Sequence, residues 1–122
     1  MSNLSLAGWL DRLEQLHPSA IDLGLSRCGE VARRLDLVDT GIITATVAGT
    51  NGKGTTVAVM ESVLCANGLH CGAFTSPHLI RFNERIRVDG QEVSDETIVA
   101  AFEAIERARE EVSVTYFEFG AL

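Results

Sequence analysis

Ile42-Ile43-Thr44-Ala45-Thr46-Val47-Ala48-Gly49-Thr50-Asn51-Gly52-Lys53-Gly54-Thr55-Thr56 joins an uncharged, β-branched run to a glycine-rich turn. Residues 42–48 have the composition of a strand buried on both faces of a parallel sheet. After the turn, Val57, Met60 and Leu64 recur at helical spacing until Asn67-Gly68, a pair suited to ending a helix. Residues 71–75 form the next strand candidate, so the order is strand, loop, helix, strand. That order predicts a βαβ unit with a right-handed crossover. The expected fold class is therefore α/β, a three-layer P-loop NTPase-like fold with a mainly parallel sheet, incomplete in this chain.

The loop between strand and helix has the chemistry of a phosphate cradle. Phosphate oxygens need several converging donors, and backbone amides approach closely only where no Cβ intervenes. Gly49, Gly52 and Gly54 meet that need, and the helix that follows adds free amides and the positive end of its dipole. Lys53 would reach the β- and γ-phosphates, and Thr55 or Thr56 would help to hold magnesium. The general phosphate-loop pattern is matched imperfectly. It asks for glycine where Val47 stands and for Ser or Thr where Gly54 follows the lysine. A glycine-rich tight turn is the rival reading, and it leaves the lysine and three hydroxyls unexplained.

Outward from the loop, local signals place the other elements. Leu6, Trp9, Leu10, Leu13 and Leu16 follow helical spacing up to Pro18, which places Trp9 in a core. Ser26 can cap a second helix carrying Val31, Leu35 and Cys28 inward. Arg85-Ile86-Arg87-Val88 followed by Asp89-Gly90 reads as a hairpin. Ser94-Asp95-Glu96-Thr97 opens a helix with Ile98, Phe102 and Ile105 on its inner face. Residues 112–122 carry two readings. Val112-Ser113-Val114-Thr115-Tyr116-Phe117 has strand composition, whereas Thr115 with Glu118 three positions later fits a capping box. On the second reading the last residues begin a helix that the chain does not complete, which points to a fragment.

With 46% hydrophobic residues the chain can build a packed core. Ten basic and 17 acidic residues give a net charge of −7, so no general field draws nucleic acid, and an anionic ligand must be held by local geometry. No apolar run reaches membrane-spanning length, and Met1-Ser2-Asn3-Leu4 lacks a secretory pattern. Cys28, Cys65 and Cys71 are odd in number with no ligand-like spacing, and read as buried thiols in a reducing compartment. A soluble, cytoplasmic protein, with no nucleic acid or membrane partner, is the expectation.

Gly49-Thr50-Asn51-Gly52-Lys53-Gly54-Thr55 closely resembles the nucleotide loop of the folylpolyglutamate synthase family, within the Mur ligase superfamily. Mur ligases place Thr directly after the lysine, so Gly54 favours the folate enzymes. Four further stretches agree in order. Ile21-Asp22-Leu23-Gly24-Leu25 resembles an early substrate loop, and Thr75-Ser76-Pro77-His78-Leu79 a motif after the strand. Phe82-Asn83-Glu84-Arg85-Ile86 continues that motif, and Thr115-Tyr116-Phe117-Glu118-Phe119 resembles the bifunctional bacterial branch.

The resemblance implies an ATP-dependent carbon-nitrogen ligase of folate biosynthesis and one-carbon metabolism. Such an enzyme adds L-glutamate to dihydropteroate and to folylpolyglutamates through an acyl phosphate, with ATP and Mg2+. It implies that the 49–55 loop (Gly49, Thr50, Asn51, Gly52, Lys53, Gly54, Thr55) binds ATP, with Lys53 also catalytic. Ser76, with Thr55, would hold the metal. Ile21, Asp22 and Leu23, together with Thr115, Tyr116, Phe117 and Glu118, would contact the dihydropteroate or folate. Residues 1–122 would be the amino-terminal part of the ATP-binding, Mur ligase central-like domain. The family's glutamate and histidine metal ligands, its modified lysine and its carboxy-terminal domain lie outside this chain. By itself this piece would be inactive and would self-associate through an open sheet edge, whereas the parent would be monomeric.

Blander readings stand beside these. Ser76-Pro77-His78 also suits a turn leaving a strand, and His78 a structural hydrogen bond. Arg81, Arg85 and Arg87 fit a solvated hairpin face better than an anion site. Asp22 fits a pterin contact and an Asx turn equally. Tyr116 and Phe117 fit ring stacking or core packing. A Mur-type ligase of peptidoglycan precursors and a non-catalytic nucleotide-binding module remain the competing functions.

Overall fold

In the computed structural model, residues 4–16 and 24–122 are described. The chain divides into two compact units, Met1–Ile42 with Asp95–Leu122, and Ile43–Ser94.

The first unit is helical. Helix α1, Leu6–Leu16, buries Leu6, Trp9 and Leu13, the face that the leucine spacing predicts. Helix α2, Ser26–Arg34, buries Val31 completely. Ser26 is its first residue and Leu25 stands at the cap without a side-chain bond, so the expected serine cap does not form. The Arg34 guanidinium instead serves the end of another helix, donating to the carbonyls of Ala108 and Arg109 at 3.0 and 3.2 Å. These are carbonyls that no intrahelical amide reaches.

Helix α4, Asp95–Arg109, is acidic in its first turn and basic in its last, which opposes the helix dipole at both ends. The Ile98, Phe102 and Ile105 stripe is buried as expected. A short closing helix, numbered α5, covers Tyr116–Ala121 and settles the capping-box reading against the strand. Trp9, Phe102 and Phe119 form the centre of this unit, with Phe102 and Phe119 edge to face at 5.4 Å. Cys28 is half-buried, and desolvation followed by the Glu118 charge pushes its thiol up.

The second unit contains helix α3, Lys53–Ala66, and a three-stranded sheet of β1, Gly72–Phe74, β2, Ile86–Val88, and β3, Gln91–Glu92. All pairings are antiparallel, with Gly72 opposite Val88 and Val88 opposite Gln91. Asp89 and Gly90 both adopt positive φ, at 52° and 81°, the turn geometry expected of this dipeptide. A 3-10 turn over Phe82–Arg85 precedes β2.

Two expectations fail here. Residues 42–48 form no strand, and Ile42 and Ile43 are 74% and 98% exposed. A parallel strand is held only by neighbours distant in sequence, and among the described residues no strand ladder includes this run. The sheet is consequently antiparallel, and no βαβ unit closes. Likewise the α3 stripe is only partly covered. Val57 and Leu64 are half-buried, Met60 is exposed, and Glu61 is the buried residue of the helix. Apolar side chains lie all round α3, as in a helix that needs cover on several sides, and a three-stranded sheet offers one small face.

Candidate functional site

Gly52 turns the chain into α3 with φ of 76°, a left-handed conformation that glycine adopts without Cβ strain. The helix start carries no side-chain cap, so its first amides have no side-chain acceptor. Lys53 folds back over the loop, its Nζ donating to the Gly49 carbonyl at 2.6 Å. Thr56 is committed locally, its hydroxyl donating to the Gly52 carbonyl at 2.9 Å. Donation leaves the Thr56 oxygen its lone pairs, so Thr55 and Thr56 both stay eligible as cation ligands. An open cleft of about 440 Å³ lies here, lined by Gly52, Thr55, Thr56, Val59 and Met60. The ammonium group of Lys53 and the left-handed Gly52 thus lie in one loop that leads directly into the bare helix start.

Ser76 is exposed just beyond β1, in a cis peptide with Pro77. The segment after it is tied down by a carboxylate. Glu84 accepts from the amides of Leu79, Ile80 and Arg81 at 2.9, 2.7 and 2.6 Å. Those three backbone bonds hold its pKa down to about 2. Arg81, three residues earlier, has no side-chain acceptor to complete a capping box, so the spacing gives no signal of this cradle.

His78 is a structural hydrogen-bonder, its Nδ1 accepting from Arg85 Nε at 2.8 Å with the Phe82 ring beside both. Arg81 is exposed, as the solvated-face reading expects, whereas Arg85 and Arg87 are half-buried. Arg81 pairs with Glu92 at 2.7 Å. Arg87 grips Glu61 at 2.8 Å, where the side chains are only 22% and 8% exposed. That buried pair bolts α3 to β2 across 26 positions, a distance over which sequence spacing carries no signal.

Thr115 and Glu118 belong to the first unit, where they are held by one another. Thr115 Oγ1 accepts from the Glu118 amide at 3.1 Å, and Glu118 Oε2 from the Thr115 amide at 2.8 Å. Arg27 donates to the remaining Glu118 oxygen at 2.9 Å. Tyr116 is half-buried and Phe117 is 53% exposed, which leaves ring surface for a ligand. Ile21, Asp22 and Leu23 lie outside the described residues.

An Escherichia coli dihydrofolate synthase/folylpolyglutamate synthase is 51% identical to the chain over 117 residues, 96% of this chain and 28% of that protein. A structure of E. coli FolC in complex with DHPP and ADP superimposes with a TM-score of 0.94 at 50% identity, over 98% of this chain and 29% of that one. The chain belongs to the dihydrofolate synthase/folylpolyglutamate synthase family. A Yersinia pestis bifunctional folylpolyglutamate synthase/dihydrofolate synthase complexed with AMPPNP and Mn ion matches with a TM-score of 0.91 at 50% identity. That match again covers 98% of this chain and 29% of the other. No family model matches. The chain thus spans under a third of the length of the curated relatives it matches. Among the described residues, no helix is long and apolar enough to cross a membrane.

Proposed function

We propose that the protein containing this chain is a cytoplasmic, ATP-dependent amide ligase that joins L-glutamate to dihydropteroate and to folylpolyglutamates. The observation that carries this reading is the loop of residues 49–56. It combines a left-handed Gly52, an uncapped helix start and an ammonium group folded onto the loop's own carbonyl. Relatives at about half identity have been seen with ADP and with AMPPNP and manganese. In this reading Lys53 leaves Gly49 and turns to the β- and γ-phosphates, while the amides at the start of α3 hold the oxygens. The substrate carboxylate attacks the γ-phosphorus and ADP leaves. The glutamate amine then displaces phosphate from the acyl phosphate to form the amide. Positioning and charge neutralisation supply most of the acceleration in such transfers.

Ser76 and Thr55 offer hard oxygen donors, a set that suits Mg2+ rather than a thiophilic ion. Once bound, magnesium would neutralise phosphate charge. Helix α3 and β1 are joined by the short connection 67–71 and pack on one another, which favours an antiparallel course with Ser76 at the same end as the phosphate loop. Thr115 and Glu118 would act on the pteridine portion indirectly, by fixing the start of α5. Tyr116 and Phe117 would supply the contact surface, and Ile21, Asp22 and Leu23 would contact the same substrate. In the whole protein, residues 42–48 and the exposed flank of α3 would be covered as part of a three-layer, mainly parallel P-loop domain, and the parent would be a monomer.

The test is ATP- and magnesium-dependent phosphate release by the full-length protein with dihydropteroate and glutamate. Lys53→Ala should lower kcat by about a hundredfold or more with the fold intact by circular dichroism. Release only with a muropeptide precursor would move the protein to the Mur ligases, and release with neither would end the ligase reading.

A further inference from the structure

Cys65 and Cys71 lie six positions apart on either side of the turn leaving α3, and the fold brings their sulfurs to 3.6 Å. The β2–β3 turn adds a third group. Asp89 is fixed to Cys71 twice, its amide donating to the Cys71 carbonyl and its Oδ1 accepting from the Cys71 amide, each at 2.9 Å. One ligating atom each from Cys65, Cys71 and Asp89 lies within 4.8 Å of the others. His70 Nδ1 holds the second Asp89 oxygen at 2.9 Å.

We propose that Cys65, Cys71 and Asp89 bind a thiophilic divalent cation of the zinc class, with His70 orienting the Asp89 carboxylate and water completing the shell. The inference is independent of the nucleotide site and of the ligase reading.

Geometry favours a metal over a disulfide. Tetrahedral zinc with Zn–S bonds of about 2.3 Å sets its sulfurs about 3.8 Å apart, close to the observed separation. A disulfide would need them at about 2.05 Å. Charge points the same way. The Asp89 carboxylate sits on the Cys71 amide, and Glu61 precedes Cys65 by one helical turn on α3. That is an anionic corner, and the buried Glu61 keeps Oε1 without a hydrogen-bond partner there. A divalent cation reverses the sign of these interactions and deprotonates the thiols it binds. Binding therefore expels two thiol protons as two metal–sulfur bonds form. His70 against the carboxylate is the kind of outer contact that orients metal ligands. The bound ion would clamp the end of α3 to the hairpin, beside the Glu61–Arg87 pair.

The experiment is titration of the reduced, metal-stripped full-length protein with cobalt, followed by zinc. Cobalt should bind at this site with a near-ultraviolet thiolate charge-transfer band that zinc abolishes. Cys65→Ser and Cys71→Ser should each diminish that band, and losing both should remove it. Asp89→Asn and His70→Ala should keep it while weakening affinity about tenfold. Cys28→Ser should change nothing. If the serine variants fail to fold, wild-type protein still decides the matter, because zinc should slow alkylation of Cys65 and Cys71 but not of Cys28. No thiolate band in reduced wild type, equal alkylation with and without zinc, or a band that survives loss of both cysteines would overturn the site.

Discussion

Glu84 does with one carboxylate what a helix cap does with several groups. Three consecutive amides leave their turn unsatisfied, and its two oxygens collect all three. The bonds favour the ionised form, so its pKa falls from 4.5 to about 2. A depressed folded-state value means the stabilisation is fully present above the unfolded pKa. It then drains away as pH falls from the ordinary carboxylate range through about 2. Carbon-detected NMR titration should place the Glu84 midpoint near 2, and Glu84→Gln should loosen residues 79–81 in hydrogen exchange at neutral pH. An ordinary carboxylate midpoint would mean that the cradle does not hold in solution. This residue also shows what one-dimensional reading misses. The Phe82-Asn83-Glu84-Arg85-Ile86 stretch drew notice as a family likeness, yet its acid was assigned no task. Its partners are backbone amides, which every sequence possesses and none advertises.

Among the elements, those written in local code were legible and those that depend on distant partners were not. The α1 and α4 stripes, the Asp89-Gly90 turn and the Thr115–Glu118 box each need only residues within a few positions. Residues 42–48 have strand composition, but composition cannot provide a neighbour. The Arg87–Glu61 pair and the Cys65–Cys71–Asp89 cluster depend on α3 lying against the hairpin. Spacing alone does not report that packing. Helix α5 shows how a motif with a family likeness can also be structural. Thr115 is 3% exposed and its hydroxyl is spent on the Glu118 amide. Thr115→Ala should therefore cost about 1 kcal/mol of stability, read as a lower urea midpoint at unchanged slope, and Thr115→Ser should recover most of it. If the full-length protein is the proposed ligase, a rise in KM for the pteridine substrate that exceeds this stability loss would assign the hydroxyl a direct contact instead.

Across the whole molecule, apolar exposure outweighs what a small folded chain normally shows. Ile43, Val59 and Val63 are 98%, 58% and 56% exposed. Val59 and Val63 lie one turn apart on α3, and an exposed apolar patch of this kind marks a surface that something else covers. The chain spans 28% of its E. coli relative, and the remainder of such a protein is the natural cover. Alone in solution, the run 42–48 belongs to no sheet and exposes Ile42 and Ile43, which makes it a template for pairing with another copy. The net charge of −7 opposes that association through long-range repulsion. Salt screens the charge over about 8 Å at physiological strength and leaves the apolar attraction in place. The 122-residue chain should therefore self-associate with rising concentration in sedimentation velocity, more strongly as salt is added. Ile43→Lys should shift it toward monomer, because the substitution interrupts the run without touching either core. The full-length protein should sediment as a single monomeric species over the same range. A 122-residue chain that stays monomeric in high salt would show that the exposed surface is innocuous, and would remove the case for the missing segments as its cover.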